Sequence, residues 1–387
     1  MTQRIVLVVR TLRVGGIERV TVNLANTLNR LGHEVHVLVL KGGRELVPDP
    51  GVVVHEQDFD KAFRRTGVGL FYDLITRLVF KPLIKESGFI WRGWYGGHYL
   101  KRFIARLEHQ YGQVDRIIIR GQGAYETVWS WRDPRLWQVS VAWPGSTNGG
   151  LRRRWLLRHL FEDKQIICNS SGVMNRLQML LTHHGIHPKR WARIMNPCDI
   201  EAIREMADAP VELPERPFIV HVARLSKVKR QALLIRAYHA ANIAEDLVIV
   251  GDGPLLESLK ALITELGLEQ RVHLVGHQLN PYPWMKHARL FVLSSSSEGL
   301  GMVLVESLIC GTPCTAINAP GGIADVLVED QARLLTDDTT EALAEGIREG
   351  LRHPPEIRSE WIERFRDTRI ATAFLELPTH DESTTPS

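Results

Sequence analysis

Glu298 and Glu306 stand eight residues apart in the segment 290–316, LFVLSSSSEGLGMVLVESLICGTPCTA. Ionised carboxylates only accept hydrogen bonds, and hydroxyl groups are natural donors to them. Residues 290–293 form a short apolar run that reads as a strand buried on both faces. Four serines and the sequence Glu298-Gly299-Leu300-Gly301 follow, and from Met302 the residues Val303, Leu304, Ser307 and Leu308 fall at helical spacing. A strand, a Gly-rich turn and a helix N-terminus in that order hold anions. The first helical amides have no partner inside the helix, and roughly +0.5 charge of helix dipole stands behind them. Leu300 and Gly301 therefore mark a backbone phosphate site, and the two glutamates flank it. A phosphate on those amides with carboxylates reaching sugar hydroxyls describes a nucleotide-sugar site. A plain strand–helix unit carrying two glutamates is the competing reading.

Five motifs in order carry a resemblance to a known family. They are Gly15-Gly16-Ile17-Glu18-Arg19, Asn196-Pro197-Cys198-Asp199, Arg224 to Lys229, Gly251-Asp252-Gly253-Pro254, and Glu298 to Glu306 followed by Cys310-Gly311-Thr312-Pro313. Together they resemble the retaining glycosyltransferases of family 4. Asn280-Pro281-Tyr282-Pro283-Trp284-Met285 resembles their branch that builds bacterial envelope polysaccharides and lipopolysaccharide. The resemblance covers nearly the whole chain. It implies an α/β protein of GT-B architecture, two doubly wound Rossmann-like domains facing across a cleft.

The resemblance also assigns roles. Arg224 and Lys229 would meet the diphosphate, where negative charge grows as the glycosidic bond breaks and two cations stabilise the transition state. Arginine offers a fork to phosphate oxygens and lysine a point charge. Glu306 would accept the ribose hydroxyls and Glu298 the hydroxyls of the transferred sugar; all three of Glu298, Arg224 and Lys229 rank as catalytic candidates. Gly15, Gly16, Gly251, Gly253, Leu300 and Gly301 would line the donor. Gly15-Gly16 is not a G-x-G-x-x-G fingerprint, which argues against a nicotinamide enzyme. Glu18 also reads as a first-turn acid favoured by the helix dipole, and Asp252 equally as part of a plain turn. Two departures stand out. The pattern G-R-L-x-x-x-K-G reads Ala223-Arg224-Leu225 and Lys229-Arg230 here, so both glycines are replaced, and Arg230 is either a third cation or a solvent-facing one. The stretch Val141-Ala142-Trp143-Pro144-Gly145-Ser146 lacks the histidine that many relatives place against the donor sugar. Trp143 either stacks on a sugar ring or fills core.

The elements that must position these residues alternate. Strands are expected at 5–9, 35–40, 52–54, 117–119, 139–142 and 166–168, with a helix at 16–31. A second set is expected at 218–222, 247–250, 272–274, 290–293 and 312–316. Strands interleaved with helices imply mostly parallel sheets covered on both faces, with ligands beyond the carboxyl ends of strands. Residues 196–217 read as a linker. With the roles that the resemblance implies, the expected division is an acceptor-side domain at 1–205, a nucleotide-sugar-binding domain at 206–360, a helix at 361–377 that crosses back to the first domain as in the family, and a disordered tail at 378–387.

The chain's 387 residues exceed one comfortable core, and 44% hydrophobic with 24% charged residues is globular composition. Cys168, Cys198, Cys310 and Cys314 form no disulfide or metal spacing and read as reduced core residues of a cytoplasmic protein. The apolar run at 5–9 is too short for a signal peptide, and no stretch reaches membrane-spanning length. The net charge of +4 hides an asymmetry. Residues 1–205 hold 31 Lys and Arg against 18 Asp and Glu, and the remainder holds 17 against 26. A cationic half suits an enzyme facing an anionic surface better than a nucleic-acid binder. Within the insertion 61–110, ten basic residues (among them Arg64, Arg65, Lys81 and Lys85) interleave with aromatic ones. That pattern suits an anionic membrane surface, with aromatic packing on the domain as the alternative. Asp58-Phe59-Asp60 is a literal DxD, read as solvated loop acids.

The expected activity is metal-independent, retaining transfer of a hexose or N-acetylhexosamine from a nucleotide diphosphate sugar (UDP by preference) to a lipid-linked saccharide or lipopolysaccharide-type acceptor. The protein would need no cofactor and would lie peripherally on the inner face of the cytoplasmic membrane. Competing readings are a GT-B protein that binds a nucleotide sugar without transferring it, and a GT-B epimerase or phosphorylase.

Overall fold

A computed structural model of the chain describes residues 2–13, 15–75, 78, 87–141 and 151–379. The chain divides into two compact units, one comprising Met1–Asn169, Met174–Pro197 and Asp367–Ser387, the other Ser170–Val173 and Cys198–Arg366.

The first unit is built on seven parallel strands: β1 (Arg4–Val9), β2 (Glu34–Val39), β3 (Val53–Glu56), β4 (Arg116–Arg120), β5 (Leu136–Ser140), β6 (Gln165–Cys168) and β7 (Arg190–Arg193). Their spatial order is β3-β2-β1-β4-β5-β6-β7. β1, β2, β4 and β6 are buried along nearly their whole length because helices cover both faces of the sheet. Leu7, Leu24, Leu28, Val37, Ile118, Trp137 and Phe374 form one buried cluster. Phe374 enters it from the helix Asp367–Leu375, which packs on the helix Gly16–Arg30. Asp367 fixes that docking: its Oδ2 accepts from Thr27 Oγ1 at 2.7 Å and from Arg30 Nη2 at 2.8 Å.

The second unit has six parallel strands, β8 (Phe218–Val222), β9 (Asp246–Val250), β10 (Val272–Leu274), β11 (Leu290–Leu293), β12 (Cys314–Ile317) and β13 (Leu335–Thr336), in the order β10-β9-β8-β11-β12-β13. Strand order reverses between β8 and β11, so that pair is the topological switch point, where a doubly wound sheet opens a crevice at its carboxyl end.

Three sequence expectations shift. The segment read as a linker contains the helix Ile200–Ala207, capped by Asp199, whose carboxylate accepts from Ala202 N at 3.1 Å. Ile200, Ile203 and Ala207 are buried, and the helix packs on the helices Tyr282–His287 and Met302–Ile309, so the long segment of the second unit begins at Cys198. The stretch 361–377 holds the end of one helix, Ser359–Glu363, in the second unit and the separate helix Asp367–Leu375 in the first. β5 lies at Leu136–Ser140, ahead of the apolar residues that suggested it. The expected tail falls mostly outside the described residues. No disulfide joins the four cysteines, and burial pushes the Cys168 and Cys314 thiols up to about 12. Among the described residues no helix is long and apolar enough to cross a membrane.

Candidate donor site at the switch point

Arg224, Lys229, Gly251, Gly253, Glu298, Leu300, Gly301 and Glu306 all belong to the second unit and follow the carboxyl ends of β8, β9 and β11. Gly15 and Gly16 belong to the first unit, beyond the end of β1. Gly15 is the extended N-cap of Gly16–Arg30, and a Cβ there would lie 2.5 Å from Glu18 Oε2. Glu18 itself accepts from Thr11 Oγ1 at 3.1 Å. Trp143 lies outside the described residues.

The loop after β8 is held from two sides. From the β9 side, Ala223 N donates to Val250 O at 3.0 Å and Leu225 N to Asp252 O at 2.9 Å. The two loops run so close that a Cβ on Gly251 would sit 2.0 Å from Ala223 O, and one on Gly253 2.3 Å from Leu225 O. Gly251 also has φ +142°, a conformation that side chains rarely adopt. The glycines of Gly251-Asp252-Gly253 thus let the backbones touch, while Asp252 stays exposed. From the β11 side, the serine run stitches the loop down. Ser294 Oγ donates to Lys229 O at 2.8 Å, and Ser296 N donates to Val228 O at 2.8 Å.

This stitching places the ammonium of Lys229 against Glu298. Nζ is 2.5 Å from Glu298 Oε1, and Ser295 Oγ donates to the same oxygen at 2.6 Å. Their side chains keep 24% and 13% of their exposure, so the pair is sheltered yet reachable. Glu298 is fixed through its backbone as well. Its N donates to Pro320 O at 3.1 Å, and a Cβ on Gly321 would fall 1.6 Å from Glu298 O. Gly301, at φ +83°, then turns the chain into the helix Met302–Ile309, with Leu300 buried beneath and half-buried Glu306 in its second turn.

A buried polar chain holds the backbone at Arg224. His221 Nδ1 meets Val292 O at 2.8 Å, His221 Nε2 meets Gln231 Nε2 at 3.3 Å, and Gln231 Nε2 donates to Arg224 O at 3.0 Å. Both side chains are fully buried. A carbonyl accepts only from an N–H, so the proton sits on Nδ1 and the bare Nε2 faces the Gln231 amide. Burial holds the ring neutral, its pKa lowered to about 4. Arg224 projects from this anchored backbone and is exposed.

Arg230 bonds Asp338 through its guanidinium in a partly exposed ion pair. Its backbone is left-handed, φ 54° and ψ 40°, at the position where the family pattern has glycine. Asp58 and Asp60 have local partners. Asp58 caps the helix Phe59–Arg65 by accepting from Lys61 N at 2.9 Å, and Asp60 lies 3.7 Å from Arg92 Nε.

Sequence reading missed Ser294, Ser295, His221, Gln231 and Gly321. The triplet Pro320-Gly321-Gly322 carried a turn signal, but the partners of the serines and of His221 depend on which loops meet.

Residues 14–202 match the family model Glycosyltransferase Family 4, and residues 203–368 match Glycosyl transferases group 1. The chain belongs to glycosyltransferase family 4. This family 4 chain is 27% identical over 390 residues to the N-acetylgalactosamine-N,N'-diacetylbacillosaminyl-diphospho-undecaprenol 4-alpha-N-acetylgalactosaminyltransferase of Campylobacter jejuni, covering 96% of this chain and 99% of that one. It is 35% identical over 181 residues, 44% of its length and 52% of the relative's, to the lipopolysaccharide core biosynthesis glycosyltransferase LpsD of Rhizobium meliloti. Among solved structures, HepE of Anabaena in complex with UDP superposes with a TM-score of 0.65 at 19% identity, over 97% of this chain and 99% of that one. The two parallel α/β units and this likeness make the fold GT-B, and the matches agree with the envelope-polysaccharide branch read from the motifs.

Proposed function

We propose that the protein transfers a hexose or N-acetylhexosamine, with retention, from a UDP-sugar to a lipid-linked saccharide or lipopolysaccharide-type acceptor at the inner face of the cytoplasmic membrane. The observation that carries this reading is the Lys229–Glu298 pair at the β8/β11 switch point, beside an exposed arginine and a helix entrance. Arg224 and Lys229 take the diphosphate and stabilise the charge that grows on it. Glu306 accepts the ribose hydroxyls, and Glu298 a hydroxyl of the transferred sugar. The bond from the sugar's anomeric carbon to the diphosphate oxygen breaks, and a bond to the acceptor oxygen forms on the same face. The acceptor's proton passes to the departing phosphate, so no enzymatic nucleophile and no metal ion is needed. The relative from Campylobacter jejuni supports a lipid-linked acceptor, LpsD supports an envelope glycan, and HepE supports UDP.

Calorimetry with UDP and with other nucleoside diphosphates tests the donor half of this reading. Tight UDP binding that Lys229→Met and Arg224→Ala both weaken is the expected result. UDP affinity that neither substitution changes overturns the assignment of the diphosphate to this site.

A further inference from the structure

The helix Gly67–Ile75 in the first unit is inside out. A surface helix normally turns its apolar stripe to the core and its charges to water. Here the inward residues are Gly69 and Asp73, both buried. Asp73 is 7% exposed and accepts from Arg92 Nη2 at 2.9 Å, with Arg64 Nε at 3.2 Å. A Cβ on Gly69 would lie 1.9 Å from Phe63 O, so the helix backbone rests directly on the helix Phe59–Arg65. Tyr72 is tied down too, stacked on Trp91 with ring centroids 4.1 Å apart. What remains for solvent is Val68, Leu70, Phe71, Leu74 and, beyond the helix, Leu78, each 55–69% exposed. At 3.6 residues per turn Leu70, Phe71 and Leu74 share one face of the helix. Single exposed leucines are ordinary, but a contiguous apolar face on a firmly docked helix marks an interaction surface.

The aromatic residues around it have settled roles in the domain. Phe59 packs on Tyr99 and Phe63 on Tyr95, with centroids 4.6 and 5.1 Å apart. Arg64 and Arg92 serve the buried carboxylate. Among the described residues of 61–110, the contiguous apolar face left for a partner is that of Leu70, Phe71 and Leu74, and Lys61 and Arg65 near it are exposed. Ten basic residues against three acidic ones in 61–110 decide the partner's chemistry. Two copies meeting through this stretch would bring like charges together, whereas an anionic lipid surface offers both a hydrocarbon boundary and opposite charge.

We infer that the helix Gly67–Ile75 is the membrane anchor of this protein, its Leu70–Phe71–Leu74 face entering the headgroup–acyl boundary of an anionic bilayer while Lys61 and Arg65 meet the headgroups. The inference rests on the membrane-facing reading proposed above and names the face that enters the bilayer.

Flotation of the full chain with phosphatidylcholine vesicles, with and without phosphatidylglycerol, tests it, using wild type and the double variant Phe71→Ser/Leu74→Ser. UDP affinity and thermal melting of the variant serve as folding controls. The wild type is expected to float with the anionic vesicles, and the variant to lose at least about tenfold in vesicle affinity with UDP binding unchanged. A variant that floats like wild type overturns the anchor yet leaves electrostatic attachment standing. A wild type that floats with neither vesicle overturns both. A wild type that does not float and elutes as a dimer, with a monomeric variant, means that the face joins two copies.

Discussion

Lys229 Nζ lies 2.5 Å from Glu298 Oε1, so the cation assigned to the donor phosphate is already paired with the carboxylate assigned to the donor sugar. A phosphate that recruits Lys229 must draw it from that carboxylate. Ser295, bonded to the same oxygen, keeps Glu298 in place when the lysine leaves. Glu298→Gln should therefore leave UDP affinity unchanged or raise it by up to about fivefold, the worth of a partly exposed ion pair. Turnover should fall, because the sugar loses its charged acceptor. Calorimetry beside a transfer assay separates the two effects, and a large loss of UDP affinity would place Glu298 on the nucleotide instead.

Glu306→Ala should weaken UDP binding by about 1.5–3 kcal/mol, the cost of a hydrogen bond to a charged group. The same variant should bind inorganic diphosphate like wild type, since its partner is the ribose. Equal losses for both ligands would remove the ribose role.

Arg230 holds a left-handed backbone that costs a non-glycine residue about 1–2 kcal/mol, and its ion pair with Asp338 is partly exposed. Glycine's extra unfolded-state freedom offsets about 0.5–1 kcal/mol of the relief. Arg230→Gly should thus be at least as stable as wild type in urea, while Arg230→Val, β-branched at positive φ, should lose at least about 1 kcal/mol. A glycine variant that is the weaker of the two would contradict this account of the replaced family glycine.

Three strand positions could be read to the residue from sequence. β11 is a continuous apolar run, and β8 and β10 are apolar apart from His221 and His273, so hydrophobicity marks all three. β7, with sequence RWAR and only half-buried, carries no such mark, and two-residue β13 is too short for one. β5 slid because buried Gln138 and Trp137 look unlike a core strand. The helix Ile200–Ala207 was hidden by its flanking prolines and acids, although Asp199 and the spacing of Ile200, Ile203 and Ala207 mark it. In the site, the charged residues and glycines were visible as motifs. The serine stitching and the His221–Gln231 chain were not, since each depends on two loops distant in sequence meeting.

Acid should probe that buried chain. Between about 4 and the ordinary 6.5, His221 is neutral in the folded protein and protonated in the unfolded chain. Unfolding then takes up a proton, so this group's contribution to stability rises with pH in that window and is lost as pH falls. At about 1.36 kcal/mol per unit the loss approaches about 3 kcal/mol near pH 4. Urea melts of wild type and His221→Asn at steps from pH 7 to 4 should show a shallower decline in the variant, whose amide does not titrate. Parallel declines would mean that the ring is not held neutral by burial.

The most direct measurement is turnover of a panel of nucleotide sugars by the purified protein in EDTA, read as free nucleoside diphosphate. The account expects slow UDP release from a UDP-sugar, unaffected by the chelator and reduced by about 10²–10³-fold in Lys229→Met. Release that stops in EDTA and returns with Mg²⁺ or Mn²⁺ would contradict the metal-free mechanism. No release from any nucleotide sugar, with UDP still bound, would make the protein a binder rather than a transferase.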